Sequence, residues 1–197
     1  MFMNTLVLLN MMLDRKCIKL GWDIHKMFSK NSSYRMKNLI KAGLNVIKND
    51  RIVKHEGMYI VNSFIPPLNS EAYRSIVMAV PGEGEEIFTS HTEGRRKAPI
   101  SIYISATSKC MYNCWHCSAA KRGNQHDIDT DRMIDLVKKI QDMGTGIIGF
   151  TGGEPLLRDD LEKIISHIDQ RSVSFVFSTG YGLTYERAKN LKASGLL

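Results

Sequence analysis

Three cysteines within eight residues are the part of this sequence best suited to chemistry. They occur in the run Cys110-Met-Tyr-Asn-Cys114-Trp-His-Cys117. This C-x3-C-x2-C spacing places three thiols on one short loop, and thiolates are soft ligands that bind iron–sulfur clusters and zinc. Three ligands are one fewer than the four that complete a cluster or a structural zinc site. A cluster held by these cysteines alone would keep one iron open to an exogenous ligand.

Two further polar segments follow along the chain. The turn Gly152-Gly153-Glu154-Pro155 combines two glycines, which let the backbone approach a ligand closely, with a carboxylate and a turn-fixing proline. The run Ser178-Thr179-Gly180 adds two hydroxyls. The alternatives are an ordinary Gly-Gly turn with Glu154 as a surface charge, and hydroxyls that cap the next helix or bond to loop amides.

After Pro99 the apolar residues alternate between strand and helix periodicity. The predicted order is strand, helix, strand, helix, strand, helix, which is typical of an α/β fold with a parallel sheet. All three polar segments follow the carboxyl ends of predicted strands, where such folds carry their chemistry. The predicted elements are a strand with Ile100, Ile102 and Ile104, a helix from Thr130, a strand over Gly146–Phe150, a helix with Leu161 to Ile168, a strand over Ser172–Phe177, and a helix capped by Thr184 that reaches Gly195.

With these features together, the sequence resembles the radical S-adenosylmethionine (radical SAM) superfamily, whose signature is this cysteine triplet followed by a GGEP turn. The resemblance covers roughly residues 99–197 and implies a [4Fe–4S] cluster held by Cys110, Cys114 and Cys117. In that family the open iron is chelated by SAM, whose cleavage yields a 5′-deoxyadenosyl radical. The implied fold is the first three βα units of a partial TIM-like parallel barrel.

The same resemblance implies a SAM site. Gly152, Gly153, Glu154 and Pro155 would bind the methionine ammonium group of SAM. His116 occupies the position before the third cysteine, which in the family is usually aromatic and lies against the adenine. Ser178 and Thr179 match a Ser/Thr-Thr-x-Gly run that helps to hold SAM in many family members. No catalytic residue is identified from the sequence.

A non-catalytic metal-binding module, with zinc or an iron–sulfur cluster, is the alternative function. A zinc site would need His116 or the distant Cys17 as its fourth ligand. His116 lies directly between two proposed ligands, so its ring would tend to point away from the same metal. The sequence contains no second C-x2-C pair that would complete a zinc ribbon.

Residues 1–98 are predicted to form an accessory region, with the domain boundary near Ala98 and the core over residues 99–197. The region is predicted to be mainly helical through residue 50, including a helix marked by Met36 to Ile47, and to contain a β-hairpin over residues 51–61 with a turn at residues 55–57. Ser70 is predicted to cap a helix through Met78. Pro81–Gly84 and His91–Lys97 are predicted to be linker.

Composition and cysteine usage set expectations for partners. Apolar residues make up 43% of the chain, and most of the formal charge of +7 lies before residue 99. No aromatic interleaving accompanies those basic residues, so nucleic acid is not an expected partner. Clustered cysteines without a disulfide framework indicate a reducing compartment, and the apolar run Met1–Leu13 is too short to span a membrane. We therefore expect a cytoplasmic protein without a membrane partner. The radical SAM resemblance implies in addition an external electron donor and a substrate that the sequence does not identify.

Only three βα units are predicted in these 197 residues. The last predicted strand is apolar on both faces, which is typical of a strand inside a larger parallel sheet. The sequence thus predicts an exposed apolar flank beside that strand and a chain too short to be fully active alone.

Overall fold

Apolar alternation after Pro99 produces a three-stranded parallel sheet in the computed structural model. The structure describes residues 2–28, 51–79, 96–119 and 126–197. The predicted helix marked by Met36 to Ile47 and most of the predicted linker lie outside these residues. The chain divides into two units, Met1–Pro99 and Ile100–Leu197.

The first unit contains helices and a hairpin. Among its described residues the helices are α1 (Phe2–Leu13), α2 (Arg15–Phe28) and α3 (Glu71–Met78), and the strands are β1 (Val53–His55) and β2 (Met58–Ile60). Asp14 separates α1 from α2, and its Oδ1 accepts hydrogen bonds from the first-turn amides of Lys16 at 2.9 Å and Cys17 at 3.1 Å. Within the described ranges, no helix is long and apolar enough to cross a membrane.

Local sequence signals account for the hairpin and for α3. The hairpin turn has two residues, Glu56 and Gly57, with φ values of 46° and 78°, and such turns favour glycine. His55 therefore belongs to β1, where it pairs with Met58, and the predicted turn at residues 55–57 was one residue too long. Ser70 caps α3 as predicted, because its Oγ accepts a hydrogen bond from the Tyr73 amide at 3.1 Å.

The second unit alternates strands and helices. In chain order it contains β3 (Ser101–Thr107), α4 (Thr130–Met143), β4 (Ile147–Gly152), a 3₁₀ turn (Pro155–Leu157), α5 (Leu161–Ile165), β5 (Val173–Val176) and α6 (Tyr185–Ala193). The strands form one sheet in the order β3-β4-β5, and both strand pairs are parallel. The predicted α/β fold, with a parallel sheet preceded by helices and a hairpin, is confirmed.

Capping residues set the helix ends in this unit. Asp129 accepts a hydrogen bond from the Arg132 amide at 2.9 Å at the start of α4, and Gly144 ends that helix with a φ of 103°. Thr184 caps α6 by accepting from the Arg187 amide at 3.2 Å. The helix predicted to extend to Ile168 is shorter, since α5 ends at Ile165.

The core lies between one face of the sheet and the helices. It is formed by buried apolar residues, namely Ile104, Ala106, Met133, Ile134, Val137, Ile140, Ile148, Phe150, Leu156, Leu161, Ile164, Ile165 and Leu191. On the other face the rings of Tyr103 and Phe177 meet edge to face, with centroids 5.4 Å apart. They lie across Gly149, where a Cβ would come within 2.3 Å of the Tyr103 ring.

The outer side of β5 is met by the last residues of the chain. Ser174 forms a parallel bridge with Leu196, and the Leu197 amide donates to the Ser174 carbonyl at 3.4 Å. Ser174 Oγ also donates to the Gly195 carbonyl at 3.2 Å. The last residues of the sequence therefore run beside β5 and parallel to it.

Candidate functional site

Three segments meet at the carboxyl edge of the parallel sheet. We call residues 108–119, which follow β3, the cysteine loop; residues 152–155, at the end of β4, the GGEP turn; and residues 178–183, after β5, the β5 loop. Because β4 is the central strand, the GGEP turn lies between the other two segments. The parallel topology thus brings together the three segments that the sequence predicts to carry chemistry.

The cysteine loop, together with Thr107 at the end of β3, docks on the GGEP turn through main-chain hydrogen bonds. The Gly153 amide donates to the Thr107 carbonyl and the Glu154 amide donates to the Lys109 carbonyl, both at 2.8 Å. A Cβ on Gly153 would lie 2.1 Å from the Lys109 oxygen, and one on Gly152, whose φ is 125°, would lie 2.4 Å from the Thr107 oxygen. Both glycines therefore permit the close contact between loop and turn.

A cavity of about 670 Å³ opens beside this contact. Cys110 and Cys114 are exposed, Cys117 is half-buried, and the Cys117 amide donates to the Cys114 carbonyl at 3.1 Å. In the part of the chain that the structure describes, no three His, Cys, Asp or Glu side chains are grouped so as to hold a metal ion. The thiols share a cavity without converging on one point. The lining residues are Ser108, Lys109, Cys110, Met111, Tyr112, Asn113, Cys114, Cys117, Ala119, Gly153 and Leu157.

The start of the cysteine loop is held by Asp127. Its Oδ2 accepts from Thr107 Oγ1 at 2.7 Å and its Oδ1 accepts from the Ser108 amide at 2.9 Å. Thr107 Oγ1 in turn accepts from the Lys109 amide at 3.1 Å. Burial raises the pKa of Asp127, but hydrogen bonds from Thr107 and Ser108 and the nearby cations Lys109 and Arg158 outweigh burial, so the pKa lies below its usual value.

Replacing Asp127 with alanine is expected to loosen the cysteine loop. The variant loses two hydrogen bonds to an ionised acceptor, each contributing about 1.5–3 kcal/mol. After anaerobic reconstitution with iron and sulfide, we expect iron to pass to a chelator about tenfold faster than from the wild type. Asp135→Ala removes the same charge from an exposed position on α4 and serves as the control. Equal rates of iron loss from all three proteins would contradict this role for Asp127.

The segment after the GGEP turn is held by two arginines. Arg158 is 8% exposed; its guanidinium forms two bonds with Asp160, at 2.7 and 2.9 Å, and a third with the Ala106 carbonyl at 2.8 Å. Asp160 also accepts from Thr130 Oγ1. Arg187 donates to the Leu156 carbonyl, to the Arg158 carbonyl at 2.9 Å and to Glu162 at 3.0 Å. These bonds connect the turn to β3, α4 and α6.

Glu154 is fully buried, and its carboxylate faces the β5 loop. Oε1 accepts from the Leu156 amide at 3.0 Å and from Ser178 Oγ at 2.6 Å. Oε2 accepts from the Thr179 amide at 2.8 Å and from Thr179 Oγ1 at 2.6 Å. Burial raises the pKa of Glu154, but these hydrogen bonds outweigh it and hold the pKa below its usual value. Gly153 is the residue of the GGEP turn that lines the cavity described above.

Three aromatic residues, Tyr112, Trp115 and His116, lie between the cysteines in the sequence of the loop. The ring of His116 contacts that of Trp115, which is 95% exposed, with centroids 5.0 Å apart. His116 itself is exposed and lies outside the cavity lining. Tyr112 of the cysteine loop meets Tyr181 of the β5 loop at right angles, with centroids 6.3 Å apart. The cysteine loop therefore contacts both other segments, the GGEP turn through its main chain and the β5 loop through Tyr112.

Sequence reasoning missed the residues that support these loops. Asp127 lies between the cysteines and α4 without any recognisable motif, so no sequence signal identified it. Arg158 and Asp160 directly follow the GGEP turn, and this pairing of opposite charges could have indicated a structural ion pair. Arg187 carries no comparable signal, because its acceptors, two main-chain carbonyls and the Glu162 carboxylate, lie 25 to 31 residues away in the chain.

The model of the radical SAM superfamily matches residues 104–197, which include all three segments. This part of the chain belongs to the radical SAM superfamily. The chain is also similar to a probable GTP 3′,8-cyclase of Methanococcus maripaludis strain C6. The two are 35% identical over 99 residues, which cover 49% of this chain and 33% of the relative. The GTP 3′,8-cyclase of Helicobacter pylori strain HPAG1 is 36% identical over 101 residues, covering 48% of this chain and 32% of the relative. The chain thus spans about a third of the length of the curated relatives it matches.

Solved structures also show partial likeness to this chain. BtrN in complex with AdoMet and 2-DOIA matches with a TM-score of 0.42 and 25% identity, over 49% of this chain and 42% of BtrN. Streptococcus suis SuiB bound to the precursor peptide SuiA matches with a TM-score of 0.44 and 14% identity, over 78% of this chain and 33% of SuiB.

Proposed function

We propose that this chain carries the part of a radical SAM enzyme that binds a [4Fe–4S] cluster and S-adenosylmethionine. Cys110, Cys114 and Cys117 are the proposed cluster ligands. An external electron donor and a substrate complete the proposed system. The proposed SAM site comprises Gly152, Gly153, Glu154, Pro155, His116, Ser178 and Thr179.

The observation that carries this proposal is the docking of the cysteine loop on the GGEP turn. The Glu154 amide donates to Lys109 of the cysteine loop, and the Gly153 amide donates to Thr107, the residue of β3 directly before it, both at 2.8 Å. At positions 152 and 153 the facing main chain leaves no room for a side chain. A group bound by the three thiols would therefore lie next to the turn. Both features of the family signature border the same cavity, on which Gly153 and all three cysteines lie.

The donor set fits an iron–sulfur cluster better than a closed zinc site. A structural zinc site needs four protein ligands, whereas the cavity offers three thiols. Burial, together with the charge and hydrogen bond of Asp14, raises the pKa of Cys17 to about 11, so this thiol stays protonated near neutral pH. Because the thiolate is the form that binds metals, Cys17 is a poor fourth ligand.

The bound cluster would supply an electron that cleaves the sulfonium of SAM and so initiates radical chemistry. The residues of this chain supply binding and orientation. Asp127 fixes the first residues of the cysteine loop, and the Arg158–Asp160 pair fixes the segment after the GGEP turn. Both act before any ligand arrives, which is how a preorganised site limits the entropy lost on binding.

Anaerobic reconstitution of the full chain with iron and sulfide tests this proposal. We expect about four iron and four sulfide ions per chain and an electron paramagnetic resonance signal, after reduction, that changes when SAM is added. Because the chain spans about a third of its curated relatives, the test measures binding and not turnover. Zinc without sulfide, or a cluster whose signal SAM leaves unchanged, would favour the non-catalytic metal-binding module instead.

A further inference from the structure

The carboxylate of Glu154 is saturated by donors of this chain. Oε1 accepts from Leu156 and Ser178, and Oε2 accepts twice from Thr179, at distances of 2.6 to 3.0 Å. An ionised carboxylate offers about four lone-pair positions, so these four hydrogen bonds use all of them. With 0% of the residue exposed, a ligand cation could bond to this carboxylate only by displacing one of the four donors.

The hydroxyls of Ser178 and Thr179 are likewise engaged in hydrogen bonds with Glu154. A hydroxyl has a single hydrogen to donate, and both Ser178 and Thr179 donate theirs to Glu154. Ser178 Oγ also accepts from the Gly180 amide at 2.8 Å, which closes a short turn of the β5 loop around the carboxylate. Toward any ligand these hydroxyls can therefore act only as acceptors.

Glu154 also occupies the central position between the two outer segments. Its amide donates to the Lys109 carbonyl of the cysteine loop at 2.8 Å, while its side chain binds the β5 loop. A buried carboxylate is costly unless it is well hydrogen-bonded, and charge-assisted bonds are about twice as strong as neutral ones. Since the pKa of Glu154 is lowered in spite of burial, the carboxylate stays ionised at neutral pH and keeps all four donors.

We infer that the Glu154 carboxylate is a positioning group that anchors the β5 loop beside the cysteine loop, and that it acts on bound SAM through Ser178 and Thr179 instead of contacting the ligand's ammonium group. The identity of the ligand rests on the proposed function, whereas the anchoring does not.

Direct contact and anchoring have different consequences. A carboxylate that pairs with the ammonium group would matter only for ligands that carry this group. A carboxylate that holds the β5 loop would affect the affinity for every ligand that touches this loop. Removing the hydroxyl of Ser178 or Thr179 would then reproduce part of the effect of removing the carboxylate. The two hypotheses also make different predictions for the protein without ligand. Only if Glu154 anchors the β5 loop does its carboxylate protect the Thr179 amide from hydrogen exchange.

Amide hydrogen exchange at Thr179, followed by NMR in the full chain without ligand, tests the anchoring. In Glu154→Gln one side-chain atom becomes a donor and can no longer accept, so we expect exchange at Thr179 to be about ten- to a hundredfold faster. Thr179→Val should raise the exchange rate at position 179 several-fold. Thr179→Ser keeps the hydroxyl, so its exchange rate should remain within about twofold of the wild-type rate. Unchanged exchange in Glu154→Gln would overturn the inference.

A second experiment compares the binding affinities of SAM and of 5′-methylthioadenosine, a ligand that lacks the amino and carboxylate groups of the methionine part. Anchoring predicts that Glu154→Gln weakens both ligands by a similar factor, roughly tenfold, and that adding Thr179→Val weakens them little further. Weakened SAM binding with unchanged 5′-methylthioadenosine binding would show direct contact and overturn the inference. If neither ligand binds the wild type while the exchange results hold, the proposed function fails and the anchoring stands.

Discussion

Replacing Cys114 with alanine is expected to leave the reconstituted protein without its iron–sulfur chromophore. Cys114 is exposed and lines the cavity with Cys110 and Cys117. Its carbonyl oxygen, which accepts from the Cys117 amide at 3.1 Å, is unaffected by the substitution, so the turn of the loop should persist. Two thiols cannot replace the three that an open-site cluster requires. Visible absorption and iron content after anaerobic reconstitution measure the loss.

Cys17→Ala is the matched control for this experiment. Cys17 lies on α2, and its pKa is raised to about 11, so its thiol is a poor ligand near neutral pH. The control should keep the chromophore. Circular dichroism of Cys114→Ala should match that of the wild type, because substitutions at exposed positions usually change stability by about 0.5 kcal/mol or less. Iron content in Cys114→Ala equal to that of the wild type would refute cluster ligation by this loop.

Replacing Gly153 with alanine is expected to separate the cysteine loop from the GGEP turn. The added Cβ would lie 2.1 Å from the oxygen and 2.6 Å from the carbon of the Lys109 carbonyl. Both atoms belong to the main chain, so the clash cannot be relieved by rotating a side chain. Separation breaks the hydrogen bonds that Thr107 and Lys109 accept from the turn. Overpacking and the lost hydrogen bonds together should cost about 2–4 kcal/mol.

Urea unfolding followed by circular dichroism measures that cost, and iron content after reconstitution measures its effect on the site. We expect a lower unfolding midpoint and markedly less bound iron for Gly153→Ala. Gly21→Ala adds the same methyl group on α2, where no atom of the described residues lies within 4 Å of it, and should be neutral or slightly stabilising. If Gly153→Ala behaved like this control in both measurements, the loop and the turn would not depend on each other's contact.

The sequence by itself determined the order of elements and the segments that follow each strand. Strand alternation, helical periodicity and capping residues such as Ser70 and Thr184 are local signals, because each depends on residues a few positions apart. The C-x3-C-x2-C spacing likewise placed three thiols on one loop without knowledge of the fold. Parallel connectivity then required these loops to meet at one sheet edge.

The partners of the site residues were decided only by the tertiary structure. From the sequence, Gly152 and Gly153 are expected to let the backbone approach a ligand, and the tertiary structure adds their close contacts with the main chain at Thr107 and Lys109. The family resemblance implies that Glu154 helps to bind an ammonium group, and the tertiary structure adds the hydrogen bonds of its carboxylate with Ser178 and Thr179, the former 24 residues away in the chain. Such contacts depend on strand order and register, which place distant segments side by side and which local periodicity does not encode. The same reason explains why Asp127, a residue without any motif, holds the first residues of the cysteine loop.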